Sequence, residues 1–221
     1  VNKPPNMTVH PNRNERSGTL VQGLLSRDEE TFGEMLDETE RPGIVHRLDK
    51  ETSGALVVAK NMESWHALKA AFKQRDVEKR YLTLVAGEFG TRSGRIENEI
   101  GRHPKNRRKM AVLNEGGKRA VSNYRVLGES RGVSFLEVRI ETGRTHQIRV
   151  HFANLRHPVV GDHVYGGKGR DLPVRPKRQM LHAWRLAFPH PRDGRVCEFM
   201  APLPDDFRNV LTELGLPVPG L

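Results

Sequence analysis

The period-two alternation of residues 80–89 constrains the fold most. Tyr81, Thr83 and Val85 fall on one face and Leu82, Leu84 and Ala86 on the other, the pattern of a β-strand. Residues 121–126 and 133–140 read as further strands. In the second, Leu136, Val138 and Ile140 alternate with Glu137 and Arg139, which predicts one wet face. Residues 181–188 and 195–200 flank Asp193-Gly194, a two-residue hairpin signal. Residues 63–78 form a helical pattern, with Trp65, Leu68 and Phe72 at i, i+3 and i+7. Residues 145–155 fit both periods: Ile148, Phe152 and Leu155 suit a helix, and His146, Ile148, Val150 and Phe152 suit a strand. Thr145 as an N-cap favours the helix. Many strands, few helices and antiparallel connections predict an α+β fold: a mixed, mostly antiparallel sheet flanked by helices and loops.

The length of 221 residues suits one large domain or two small ones, and the whole chain, 1–221, is read as one domain. With 36% hydrophobic and 29% charged residues it has the composition of a soluble globular protein. No apolar run reaches membrane-span length, and no signal-peptide pattern opens the chain. It starts at Val1-Asn2-Lys3-Pro4 without Met, so a fragment with a missing upstream domain is expected. A lone cysteine, Cys197, excludes an internal disulfide and a Cys-based zinc site and suits a reducing, cytoplasmic setting. No long exposed apolar stripe is evident, which points to a monomer.

The net charge of +10 is concentrated. Residues 102–119 carry Arg102, Lys105, Arg107, Arg108, Lys109, Lys118 and Arg119 against Glu115, and residues 168–178 carry Lys168, Arg170, Arg175, Lys177 and Arg178 against Asp171. Two dense basic segments suit a phosphate backbone better than general solubility, although solvated loops are the plain alternative. Neither has the apolar face a membrane-surface segment needs. Aromatic residues make up only 6% of the chain, too few for a broad stacking platform, so one or two bases held in a pocket fit better. Residues 27–41, with seven Asp/Glu against two Arg, should stay away from a phosphate backbone.

Gly43-Ile44-Val45-His46-Arg47-Leu48-Asp49-Lys50-Glu51-Thr52-Ser53-Gly54 presents a carboxylate at a Thr-Ser-Gly turn between two apolar runs, the second being Ala55-Leu56-Val57-Val58-Ala59. A carboxylate so held can act as nucleophile or base, although an aspartate capping its own turn is the commoner case. A second block, residues 141–151, gathers Arg144, Arg149, His146, His151 and Gln147 around a glycine turn and a helix start. An arginine beside a buried carboxylate keeps it ionised and fixes its direction. His146 and His151, five apart, make no ligand pair on a helix or a strand. His46, His157, His163 and His182 lack cysteine partners, so no metal site is expected and the histidines are structural or contact a ligand.

With these blocks the chain resembles the RluA/RluD family of RNA pseudouridine synthases. His46-Arg47-Leu48-Asp49 with Thr52-Ser53-Gly54 is similar to its catalytic signature, Lys79-Arg80-Tyr81-Leu82 to its tyrosine strand, and Gly143 through His151 to its arginine motif. The blocks His157-Pro158-Val159-Val160-Gly161-Asp162 and Tyr165-Gly166, Asn2-Lys3-Pro4, Leu181-His182-Ala183 and Ala201-Pro202-Leu203-Pro204 follow the same order. The basic stretch from Gly101 to Val112 is most similar to the branch acting on large-subunit ribosomal RNA, whose members often carry an N-terminal S4-type RNA-binding domain.

The resemblance implies isomerisation of uridine to pseudouridine in RNA, without a metal or organic cofactor. Asp49 is then the catalytic carboxylate. Tyr81 would stack on the flipped uracil and could move a proton, and Arg149 would pair with Asp49, with Arg144 the competing partner. Arg47 would fill the space left by the flipped base or clamp a phosphate, and Ile148 would pack on the base or the tyrosine. His46, Arg107, Arg108 and Lys109 are further expected RNA contacts. A non-catalytic RNA-binding or ribosome-assembly factor of the same fold is the second reading. A glycosidase is the third, weakened because nothing in the charge pattern suits a neutral sugar.

Overall fold

The computed structural model describes residues 1–13, 15–106, 108–166 and 172–220. Arg107, an expected RNA contact, and Lys168 and Arg170 of the second basic segment lie outside the described residues. In chain order the elements are β1 (Asn2–Lys3), α1 (Leu20–Arg27), α2 (Glu29–Gly33), β2 (Ser53–Ala55), α3 (Met62–Gln74) and β3 (Glu78–Ala86). There follow β4 (Ser93–Arg102), β5 (Met110–Leu113), β6 (Lys118–Ser130), β7 (Val133–Ile140), α4 (Gln147–Asn154), β8 (Leu181–Pro189), β9 (Val196–Met200) and α5 (Asp205–Glu213). The α+β expectation holds: the ladders β1–β2, β3–β7, β4–β5, β4–β6, β6–β7 and β8–β9 are all antiparallel.

The chain forms two compact units, each built from two separate stretches of sequence. The first comprises Val1–Glu78 and Ala183–Pro202, the second Lys79–His182 and Leu203–Leu221. Two of the three crossings fall within strands, at Glu78–Lys79 in β3 and His182–Ala183 in β8, where no linker composition marks them; the third, Pro202–Leu203, lies in the proline-containing segment between β9 and α5.

In the first unit β1 pairs with β2, β2 lies beside β8, and β9 extends from β8. Thr19 opens α1 with a reciprocal cap: its hydroxyl accepts from Gln22 N, and Gln22 Oε1 accepts from Thr19 N. Asn61 caps α3 through Ser64 N at 2.8 Å. α3 stops at Gln74, earlier than residue 78, because Arg75 turns left-handed at φ 70° and Asp76 N donates back to Ala71 O. Leu68 and Ala71 of α3 join Ala55, Leu186 and Phe188 in the core of this unit, and Trp65, Phe72 and the half-buried Cys197 pack against it.

The expected two-residue hairpin between β8 and β9 is instead wider. Pairing ends at Pro189 and Val196, His190 N donates to Arg195 O, and Gly194 N returns to His190 O. The Asp193 carboxylate spans the loop, accepting from Arg195 N and meeting the His190 ring.

In the second unit the sheet order is β3-β7-β6-β4-β5. The wet face expected on β7 is largely covered, by side chains reaching over it from β3 and β6 and by α5. Glu137 is 8% exposed and clamped by Arg80 at 2.7 Å and Arg125 at 3.3 Å, and Phe135 meets Phe207 of α5. Of that face only Arg139 is exposed. Arg178 is 5% exposed and grips Asp206 of α5 through two hydrogen bonds of 2.6 and 2.9 Å. It is a structural clamp, not the free cation its place in the second basic segment suggested.

Candidate active site

The candidate residues fall into two sets, one in each unit. In the first, residues 43–59 fold as the sequence implies. Ile44 bridges Val58 and Ala59 N donates to Gly43 O, so the two apolar runs lie together and the chain between them is carried out as a loop. At its tip Thr52 N donates to Asp49 O at 3.1 Å, leaving Asp49 half-buried between buried Leu48 and Thr52. Gly54 is needed on two counts. Its φ is +118°, and a Cβ there would stand 2.2 Å from Ala183 O, where the backbone of β8 passes.

Lys3, only 1% exposed, anchors the turn from beneath. Its Nζ donates to Pro4 O, Met7 O and Lys50 O at 2.8, 2.9 and 3.0 Å, binding the carbonyl that follows Asp49. A buried ammonium satisfied by three carbonyls costs far less than a bare one. In the sequence Lys3 matches the family without a role attached to it; its position on a two-residue strand offers no pattern from which to infer one.

His46, expected to touch RNA, is engaged by the protein: its Nε2 accepts from Val57 N at 3.0 Å and its ring stacks on Phe72. Arg47 is exposed. Burial, then the charges of Arg41 and Arg47, lower the nearby His10 to a pKa of about 4.

In the second unit Tyr81 is 9% exposed on β3, opposite Val138. α4 forms as expected, but Thr145 is exposed and does not cap it. The helix begins after His146, left-handed at φ 58°. The Gln147 side chain takes over that work: its Oε1 accepts from Arg144 N and the Thr142 hydroxyl, and its Nε2 donates to Val121 O and Ser122 Oγ. The turn is thus set by a buried polar network, so no N-cap serine or threonine is required.

This network fixes Arg149. The guanidinium is buried on α4 and held bidentately by Asp162, Nε to Oδ2 at 2.7 Å and Nη2 to Oδ1 at 3.0 Å. Asp162 also accepts from Val164 N and Tyr165 N. Burial raises the Asp162 carboxyl; the Arg149 hydrogen bonds and charge, with the two amides, more than reverse this, and it lies below the usual range. Sequence reasoning missed this carboxylate, which stands 13 residues from its arginine in a different block. Ile148 is 4% exposed, and Arg144 donates from Nε to Arg119 O at 3.0 Å.

The loop between β4 and β5 carries Lys105, Arg108 and Lys109 of the first basic segment. His103 Nδ1 accepts from Lys105 N and Asn106 N at 3.1 Å each, and Asn106 Oδ1 accepts from Arg108 N at 3.0 Å. Lys105 and Arg108 are exposed, while Lys109 lies with its Nζ 5.8 Å from the Tyr165 ring centre. Arg119 is paired with Glu97 at 2.6 Å, so part of the segment's charge is already neutralised.

His151 is fully buried. Its Nδ1 meets Ser122 Oγ at 2.9 Å, its Nε2 has no partner among the described residues, and burial lowers its pKa to about 4. The unfolded chain, with histidine near its usual 6.5, binds more protons than the folded one between those values. The contribution is whole above pH ~6.5 and is lost as pH falls toward ~4, on the order of 3 kcal/mol in all. Urea denaturation between pH 7.5 and 4.5 should register this loss, and His151→Asn, which keeps a group at the Ser122 contact, should flatten the slope. An unchanged slope would remove His151 as its source.

The family model described as RNA pseudouridylate synthase matches residues 1–154. The chain belongs to this family. The protein named ribosomal large subunit pseudouridine synthase D of Neisseria meningitidis serogroup A / serotype 4A is 45% identical over 98% of this chain and 58% of its own length. The protein of the same name from Nitrosomonas europaea is 43% identical over 96% of this chain and 61% of its own length. The chain thus spans about three-fifths of these relatives. Its fold is that of the solved human RNA pseudouridylate synthase domain containing 4, with TM-score 0.76, 25% identity, and coverage of 100% and 90% of the two chains. Human RNA pseudouridylate synthase domain containing 1 gives 0.73 and 29%, with 100% and 92% covered.

Proposed function

We propose that this chain converts specific uridines of large-subunit ribosomal RNA to pseudouridine, in the cytoplasm, with Asp49 as the catalytic carboxylate. The observation that carries this reading is the Asp49 turn itself: a half-buried carboxylate, braced through Lys3, in a chain related along almost its whole length to proteins named for that reaction.

The chemistry breaks the N1–C1′ bond, turns the uracil, and joins C5 to C1′; the C5 proton is lost and N1 gains one. The uridine must first leave its stack. Arg47, exposed beside the turn, suits the vacated space or a neighbouring phosphate. Tyr81 offers a ring for the flipped base and Arg149 a charge to set the carboxylate's direction. Lys105, Arg108 and Lys109 provide backbone contacts that position without reading sequence.

The test is site-by-site pseudouridine mapping of unmodified large-subunit ribosomal RNA after incubation with the chain. Conversion of a uridine supports the proposal. RNA binding without conversion favours the second reading, a binding or assembly factor. Replacing Lys105, Arg108 and Lys109 together by alanine should weaken RNA binding and reduce the slope of log affinity against log salt by about 0.7–0.9 for each phosphate no longer neutralised. An unchanged slope would make that turn a solvated loop.

A further inference from the structure

Tyr165 has no part in the chemistry above, yet three pieces of the second unit meet on it. Its hydroxyl accepts from Met110 N at 2.8 Å and lies 2.8 Å from His146 Nδ1. The hydroxyl thus links the Met110 amide to the His146 ring. The ring lies under the Arg149 guanidinium, 5.0 Å from its Cζ, and its backbone N–H donates to the Asp162 carboxylate that holds Arg149. The rest of the side chain packs on Ile100, Ala120 and Val150.

The Met110 contact is unusual in its origin. β5 is the last strand of its sheet, and Lys109 O faces inward, accepting from His103 N. The next N–H, that of Met110, points away from the ladder and would be an open edge donor. Tyr165 closes it. The basic turn 103–109 is therefore rooted in the same short segment, residues 162–165, that grips Arg149 and supports the left-handed residue opening α4.

We propose that Tyr165 is a positioning residue that couples RNA held by the β4–β5 turn to the setting of Arg149. This rests on RNA being the ligand. A phosphate bound by Lys105 or Arg108 loads a turn whose far end is tied by one hydroxyl to His146 and by one ring to Arg149. Binding and alignment are thereby linked through a few packed and hydrogen-bonded atoms.

The test uses Tyr165→Phe, which removes the hydroxyl and keeps the ring. Hydrogen exchange should speed about tenfold both at residues 103–110 and at the first turn of α4, with β3 and β7 unchanged. RNA affinity should change less than about threefold while kcat falls about tenfold. Lys105→Ala/Arg108→Ala should lower both affinity and kcat in the unmutated background, but affinity alone in the Tyr165→Phe background. His146→Asn, which tolerates the left-handed turn, approaches the same link from the helix side and should be non-additive with Tyr165→Phe.

Additive effects on kcat would overturn the coupling, as would faster exchange on one side of Tyr165 only. If the unmutated chain makes no pseudouridine, the proposed function fails on that result. The exchange measurement then decides separately whether Tyr165 ties the two segments.

Discussion

Asp49→Asn is expected to abolish pseudouridine formation, by a factor on the order of 10^4 or more, while leaving RNA affinity and thermal stability close to those of the unmutated chain. Asparagine has almost the shape of aspartate, and the turn is closed by backbone and by Lys3: Thr52 N bonds the Asp49 carbonyl, and Lys3 bonds the Lys50 carbonyl. Neither of these bonds uses the Asp49 carboxylate. What the substitution removes is an anionic oxygen that can attack carbon or take a proton. Single-turnover assays with circular dichroism and filter binding in parallel separate these effects. Turnover within tenfold of the unmutated chain would remove Asp49 as the reacting group, and a large loss of RNA affinity would assign it to binding instead.

Asp162→Asn is expected to have the largest effect on stability, a loss of roughly 3–5 kcal/mol. Arg149 is 5% exposed, and Asp162 holds it with two hydrogen bonds. Removing the charge strips a buried guanidinium of this carboxylate, and it also weakens the acceptor of the Val164 and Tyr165 amides. Urea denaturation measures the loss directly. Adding Arg149→Met should recover part of it, because both buried charges are then absent. A loss below about 1 kcal/mol, or no recovery in the double variant, would mean the pair is far better solvated than its burial indicates. Activity should not return in the double variant, since Arg149 also serves the proposed chemistry.

The family and the general plan of the fold were legible because they rest on local patterns. The alternation of residues 80–89 became β3, residues 133–140 became β7, and the turn between two apolar runs placed Asp49 at the tip of a loop. Each follows from neighbours in sequence, where periodicity and turn chemistry act. The misreadings have the opposite character. The wet face of β7 was misjudged because Glu137 is covered by Arg80 and Arg125 from adjoining strands, which no alternation within β7 can reveal. Thr145 was assigned a cap that Gln147 makes unnecessary, through partners on β6 more than 20 residues away.

The charge pattern divides in the same way. Composition located the basic segments correctly, but only packing separates exposed Lys105 and Arg108 from Arg178, which is consumed by Asp206. By itself the sequence determined which residue types stand at the turn, the tyrosine strand and the arginine helix, and so the family and the candidate chemistry. The tertiary structure alone decided how those residues are held: Lys3 under the Asp49 turn, Asp162 on Arg149, Tyr165 between the basic turn and α4. The reason is physical. Helix and strand periods are written in adjacent side chains, whereas a buried charge finds its partner wherever the fold brings an oxygen or nitrogen within about 3 Å.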